Sequence, residues 1–184
     1  MAVSKNTASV ITANQIQIYQ NSALLKSIPV TGFKPTAVAI DPSGMDVAVG
    51  GDDMKVHFYS IPSGTSTGLT IEGNRGEITC LAYSPDNKYL AVGDSNSKIL
   101  VFDPKNGTLL FDQWVFHSSR INSISWNQDS LDTNIEIWST VDPMKHISIK
   151  NAHLESATAA MFLDEKTIVS VGGDAFIRTW KIQF

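Results

Sequence analysis

The chain has 184 residues, 42% of them hydrophobic and 17% charged, with a formal net charge of −4. That balance describes a folded chain with a sizeable core, not a disordered one. An acidic balance, with Lys and Arg scattered singly, argues against non-specific binding to nucleic acid or to anionic membranes, and no apolar run approaches the roughly 18 residues that span a bilayer.

The first residues, "MAVSKNTASVITANQ", hold no continuous apolar core of the kind a secretory signal needs. Next comes "SVITANQIQIYQNSALLKSIPV", which reads as the outer strands of a partial blade over 1–30, its inner strand lying upstream. From 31 to 184 the strand signals come in sets: "TAVAI", "DVAVG" and "KVHFYSI", then "ITCLAY", "YLAVG" and "KILVF". "SISW" and "IEIW" come after these, and then "TIVSVG" and "FIRTW". Each is a short alternation of apolar and polar residues, rich in Val and Ile and bounded by Gly, Asp, Asn, Ser or Pro, which is the signature of β-strands. No segment sustains a helical period, so the chain is read as all-β. The single cysteine, Cys80, lies in a strand signal and excludes an internal disulfide, in keeping with a reducing, cytoplasmic setting. Asn106-Gly107-Thr108 reads as a tight turn rather than a glycosylation acceptor.

One pattern returns along the chain. Aromatic residues close a strand at Tyr19, Tyr59, Phe102, Trp138 and Trp180, and an acidic or amide residue stands six positions before each of the last four: Asp53, Asn96, Asp132 and Asp174. The aromatic spacings are 40, 43, 36 and 42 residues. A period near 40–45 with a closing aromatic is the mark of a propeller blade of four strands.

These residues resemble WD repeats. "LVFD" is close to the eponymous dipeptide, while "FYS", "IWS" and "TWK" keep only the aromatic. The Gly-His element of such repeats survives as Phe116-His117 and Ala152-His153, and is replaced by Gly32-Phe33 and Gly73-Asn74. The resemblance implies a structural network in which His117, His153, Ser170, Trp138 and Trp180 join the four Asp or Asn residues between strands. His153, Ser170 and Asp174 are also the residue types of a nucleophilic triad. Asp recurring in three repeats and Asn in one suits a repeated structural task better than one catalytic centre, and buried polar groups need such partners. The chain is therefore read as no enzyme, without cofactor. His57 and His146 have no partner at metal-ligand spacing, so no metal is expected either. The Gly-rich pieces "VGGDD" and "VGGDA" precede strands, not helices, and read as hairpin turns.

The third full repeat is short. From the end of the innermost strand to the Asp or Asn of the turn there are thirteen residues after Ile40, thirteen after Tyr83 and twelve after Phe162, but six after Trp126. About seven residues are absent, those that elsewhere form the second strand, "MDVAVGG", "KYLAVGD" and "KTIVSVG". The expectation is an all-β WD-repeat propeller fragment of about four blades plus a partial first blade, its third full repeat lacking the second strand. Asn127–Leu131 is expected to be an irregular return, with Trp138 less buried than Trp180.

Nearly the whole chain resembles the actin-interacting protein 1 family. "GFKPTAVAIDPSGMDVAVGGDDMKVHFYSI", "GEITCLAYSPDNKYLAVGDSNSKILVF" and "NAHLESATAAMFLDEKTIVSVGGDAFIRTWKIQF" carry the likeness. The resemblance implies the C-terminal part of the second of two propellers, in a cytoplasmic protein of the actin cytoskeleton. It also implies a non-catalytic interaction module for actin filaments and cofilin, promoting cofilin-dependent filament disassembly, with neither nucleic acid nor membrane as partner. A general WD-repeat scaffold for another multiprotein complex is the alternative. Lys105, Asp112 and Arg120 are read as loop residues available to any partner.

Overall fold

The computed structural model describes residues 2–4, 7–114, 120–126, 136–138, 146–149, 152, 157–164, 166–172 and 175–182. Every regular element among them is a β-strand, and all pairing is antiparallel. The chain divides into two compact units, 1–121 and 122–184.

The first unit holds three sheets of four strands, each in simple sequential order. The opening sheet is built from β1 (Ala2–Ser4), β2 (Thr7–Ile11), β3 (Gln15–Gln20) and β4 (Ala23–Pro29). It carries an inner strand as well as the outer ones, but one of only three residues. The next two sheets are complete. They comprise β5 (Pro35–Ile40), β6 (Asp46–Gly51), β7 (Val56–Ser60) and β8 (Thr65–Ile71), then β9 (Ile78–Tyr83), β10 (Leu90–Asp94), β11 (Ile99–Phe102) and β12 (Leu109–Trp114). Asp112, expected in a loop, lies within β12 because the apolar residues around it extend the outer strand.

Local chemistry sets the turn between the first two strands of each complete sheet. After β5, Oδ1 of the buried Asp41 accepts the N–H groups of Met45 at 2.8 Å and Asp46 at 2.9 Å, while Gly44 takes a left-handed φ of 79°. After β9, Oγ of the buried Ser84 accepts the N–H of Tyr89 at 3.0 Å, and Asn87 takes the left-handed position with φ 59°. Both Gly and Asn tolerate that region, and a short side-chain acceptor closes the turn in each case.

Side chains alternate across a strand, so each sheet has two faces. One face of β5–β8 bears Val38, Ile40, Val47, Val49 and Tyr59 and packs on Ile16, Ile18 and Ile28 of the opening sheet. The other bears Ala37, Ala48, Val56 and Phe58 and packs on Leu90, Val92, Leu100 and Phe102 of the following sheet. These are the stacked blades of a propeller.

Two further devices join consecutive blades, and both repeat. Thr36 Oγ1 directs its single hydroxyl proton mainly to the carbonyl of Ile78 in the next blade at 2.6 Å, with the carbonyl of Gly50 in its own blade at 3.1 Å sharing it. Thr79 does the same with Gly93, at 3.1 Å, and with Ile121. The glycines themselves make room for those isoleucines. A Cβ on Gly50 would lie 2.6 Å from the Ile78 Cβ, and one on Gly93 would lie 2.8 Å from the Ile121 Cγ2 and 2.6 Å from the Cys80 sulfur.

The segment Ile121–Trp126, expected as the innermost strand of the short repeat, forms no strand. Ile121 itself is buried and gives its N–H to the Asp94 carbonyl at 3.0 Å. A strand exists only through its ladder, and the residues that elsewhere form the neighbouring second strand are the ones missing here. Among the described residues this repeat holds β13 (Glu136–Trp138) and β14 (His146–Ser148), paired with each other. Asn127–Leu131 and the Trp138 side chain lie outside the described residues. The last sheet is β15 (Ala157–Asp164), β16 (Thr167–Gly172) and β17 (Ile177–Lys181). Its inner face carries buried Ile168 with Ile182, packed by Phe162, Trp180, Ile147 and Ile149.

The bridging threonine gives a test. Thr36→Val keeps the shape of the side chain but leaves the Ile78 carbonyl short of a donor, and is expected to cost about 1 kcal/mol in urea unfolding. An unchanged midpoint would mean that the bond contributes nothing to joining the blades.

Candidate functional site

Of the residues singled out by the repeat, Asp53 and Asn96 lie where the second strand of a blade turns into the third. In the β6–β7 turn, Asp53 Oδ2 lies 2.9 Å from His57 Nε2, and its Oδ1 accepts the Lys55 N–H at 3.3 Å. The imidazole stacks on Phe33, with centroids 3.9 Å apart and planes 14° from parallel. Phe33 occupies the place of the missing Gly-His histidine, so β7 supplies the imidazole that the lead segment lacks. Asp52 fixes that lead segment by accepting the Lys34 N–H at 2.9 Å.

In the β10–β11 turn the carboxylate comes from another position. Asp94 is fully buried, and its Oδ1 accepts the N–H groups of Asn96 at 2.8 Å and Lys98 at 2.9 Å. Its Oδ2 accepts the Arg75 N–H at 3.0 Å and the Asn74 amide at 3.3 Å. Asn96, the residue the repeat pattern selects, donates instead to the Arg75 carbonyl at 2.8 Å. Lys98 corresponds to Lys55, so the two carboxylates serve the same backbone donor from positions two residues apart. The reason is steric. Gly51 stands where Asp94 does, and a Cβ there would run into the Asp53 carboxylate and lie 2.6 Å from the Phe33 ring. One blade uses Gly51 with Asp53, the other Asp94 with Asn96. The register of the two repeats holds that exchange, and the Asp/Asn pattern alone passes over it.

In the last sheet, the indole Nε1 of Trp180 donates to Oγ of the buried Ser170 at 2.9 Å. Asp132, Asp174, His117 and His153 lie outside the described residues, as does the side chain of Trp138. Of the three residue types that suggest a triad, the structure describes only Ser170, with its oxygen engaged by the tryptophan. Among the described residues no group of three or more His, Cys, Asp or Glu is placed to hold a metal ion, and no helix is long and apolar enough to cross a membrane.

A cleft of about 300 Å³ opens beside these blades, lined by Asp41, Asp46, Tyr83, Asn87 and Lys105 among others. Burial, reinforced by Asp41 and Asp46, raises the Tyr83 phenol well above its ordinary value. Burial and the neighbouring Asp41 likewise raise the Asp46 carboxyl. On the adjoining turn the Asp86 carboxyl is lowered to about 2, chiefly by the Lys88 ammonium and the Ser84 hydroxyl.

The sequence relationships accord with this geometry. Residues 67–129 match the family model described as Anaphase-promoting complex subunit 4 WD40 domain. The chain is 37% identical to the 66 kDa stress protein of Physarum polycephalum, over 100% of this chain and 32% of that one. It is 32% identical to actin-interacting protein 1 of Drosophila melanogaster, over 97% of this chain and 31% of that one. It is also 34% identical to WD repeat-containing protein 1 of Gallus gallus, over 95% of this chain and 30% of that one. The chain belongs to the actin-interacting protein 1 family of WD-repeat proteins. It spans about a third of the length of these relatives.

Two substitutions test the nodes. Asp94→Ala strips a fully buried acceptor from four donors and is expected to cost at least about 3 kcal/mol, read by urea unfolding. Asp86 gives a pH signature. Its folded value lies below the ordinary carboxylate value, so its contribution is complete above about pH 4 and fades as pH falls toward 2. Because the pair is well exposed, screening keeps that contribution below about 1 kcal/mol. Asp86→Asn should therefore narrow the stability difference between pH 5 and pH 2 slightly, without altering the fold.

Proposed function

We propose that this chain is a non-catalytic interaction module of an actin-binding WD-repeat protein, acting with cofilin in the disassembly of actin filaments. The observation that carries the reading is the match of 97% and 81% of the chain to two proteins named for interaction with actin. The geometry suits it: packed blades hold the turns rigidly, and the polar nodes of Asp53 and Asp94 lock those turns. A rigid scaffold with loops at its rims is an arrangement suited to contact with another protein.

On this reading, the polar residues of the repeat, Asp53, Asn96, Asp132, Asp174, His117, His153, Ser170, Trp138 and Trp180, hold the blades together and do no chemistry. Residues 1–30 act as the shortened blade and 31–184 as the remaining blades of one incomplete propeller. The work takes place at the actin cytoskeleton in the cytoplasm. A scaffold role in another complex is the second reading, favoured by the match of residues 67–129 to the anaphase-promoting subunit model.

The test uses filament co-sedimentation and pyrene-actin disassembly, with and without cofilin. The chain alone is expected to have little or no effect on filaments, since it spans about a third of its relatives and one of its repeats is about seven residues shorter than the others. Grafted in place of the corresponding third of a whole actin-interacting protein 1, it should preserve cofilin-dependent disassembly. Loss of that activity in a folded chimera would contradict the assignment and favour the scaffold reading.

A further inference from the structure

The cleft of about 300 Å³ lies between the β5–β8 and β9–β12 blades and takes its lining from both. Its apolar side is formed by Phe58, Leu69 and the Tyr83 ring, which belong to the packing between these two blades. Its polar side holds acceptors with nothing to accept. The Oδ1 atom of Asn87 is buried and has no hydrogen-bond partner. The Asp46 carboxylate likewise accepts no hydrogen bond among the described residues, because the N–H groups of its turn go to Asp41 instead. A buried acceptor without a donor costs free energy, which a bound donor recovers.

The cleft also carries negative charge that nothing in it offsets. Asp41 and Asp46 both line it, while Lys105, the cation among the lining residues, is exposed and forms no ion pair with either. Burial first, and then these two carboxylates, hold the Tyr83 phenol above its ordinary value. Burial and then Asp41 do the same to the Asp46 carboxyl. A cation entering here meets two carboxylates and two aromatic rings, and both attract it.

We infer that this cleft receives the guanidinium of an arginine side chain carried by a partner polypeptide. The occupant must bring positive charge, several N–H donors and an apolar stem, and that side chain has all three. A guanidinium presents five donors in one plane, enough to serve Asp46 and Asn87 together, and its flat face packs on aromatic rings. An ammonium is a compact, strongly hydrated charge, so lysine suits the apolar side less well. A volume of about 300 Å³ is at the small end of ligand pockets, which fits one side chain and not a larger molecule. Asn87 and Lys105 stand on the β9–β10 and β11–β12 turns, at the rim of the blades, where an approaching chain can reach them.

The test is an NMR titration of the whole, isotope-labelled chain with N-acetyl-L-arginine amide, followed at the backbone amides of Asp46, Asn87 and Lys105. No filament is present, so the outcome is independent of the actin assays. Saturable shifts at those amides are expected, with a Kd on the order of 1 mM for so small a ligand. The citrulline analogue, similar in shape but uncharged, should leave them unmoved. Asp46→Asn should weaken binding at least about tenfold, through loss of the charge-assisted bond. Asn87→Gly, which tolerates the left-handed backbone, should weaken it several-fold. Lys105→Ala should tighten it by removing a like charge. The dispersion of each variant's amide spectrum checks its folding, and Asn87→Gly with Lys105→Ala decides the matter if Asp46→Asn fails that check. Absence of saturable shifts, equal binding of the citrulline or lysine analogue, or unchanged affinity in the folded variants would each overturn the inference. Binding of free ethylguanidine but not of the blocked arginine would overturn it too, by assigning the cleft to a small-molecule cation.

Discussion

The joint between blades is the constraint on which the rest of the structure depends. A sheet of four short strands cannot bury both faces by itself, so each blade is stable only against the next. In this chain the joint has three parts at fixed positions. A glycine at the end of the second strand lets the next blade's isoleucine come close. A threonine on the innermost strand bonds both to its own blade and to its successor. Rows of Val, Ile, Ala and aromatic residues fill the space between. Gly50, Thr36 and Ile78 make one joint, and Gly93, Thr79 and Ile121 make the next. Turns and polar nodes sit at the rim of surfaces already fixed by that packing.

In the short repeat the joint outlives the blade. Ile121 still packs against Gly93 and still receives the threonine bond, so the start of the innermost segment is held by the preceding blade. The residues after it, through Trp126, form no strand. Blade-to-blade contact thus places a segment, and only the ladder with a second strand makes it β-structure. The seven missing residues remove the ladder and leave the joint.

Much of this was legible in the sequence because it rests on periodicity. Alternation marked the strands, and the closing aromatics set the blade length. The polar site was only half legible. Asp53, Asn96 and Ser170 each take part in a side-chain hydrogen bond, but the fully buried carboxylate of the following blade, Asp94, is not a residue the repeat pattern selects. A motif fixed to one position misses an exchange in which a glycine frees the space that a neighbour's carboxylate fills. The bridging threonines were missed for a related reason. Thr36 and Thr79 recur 43 residues apart, the same interval as Tyr59 and Phe102, but a threonine in a strand carries no polar signal of its own. Its role appears only when the next blade's carbonyl is in place.

The joint is tested most directly by a double-mutant cycle on the Gly50–Ile78 contact. Gly50→Ala is measured by urea unfolding in the unaltered chain and again in a chain carrying Ile78→Ala. If close approach of that isoleucine is what the glycine serves, the added methyl should be strongly destabilising in the first background. It should be milder in the second by more than about 1 kcal/mol, the coupling expected of residues in direct contact. An equal penalty in both backgrounds would show that Gly50 is needed for its own backbone and that the joint between blades does not depend on it.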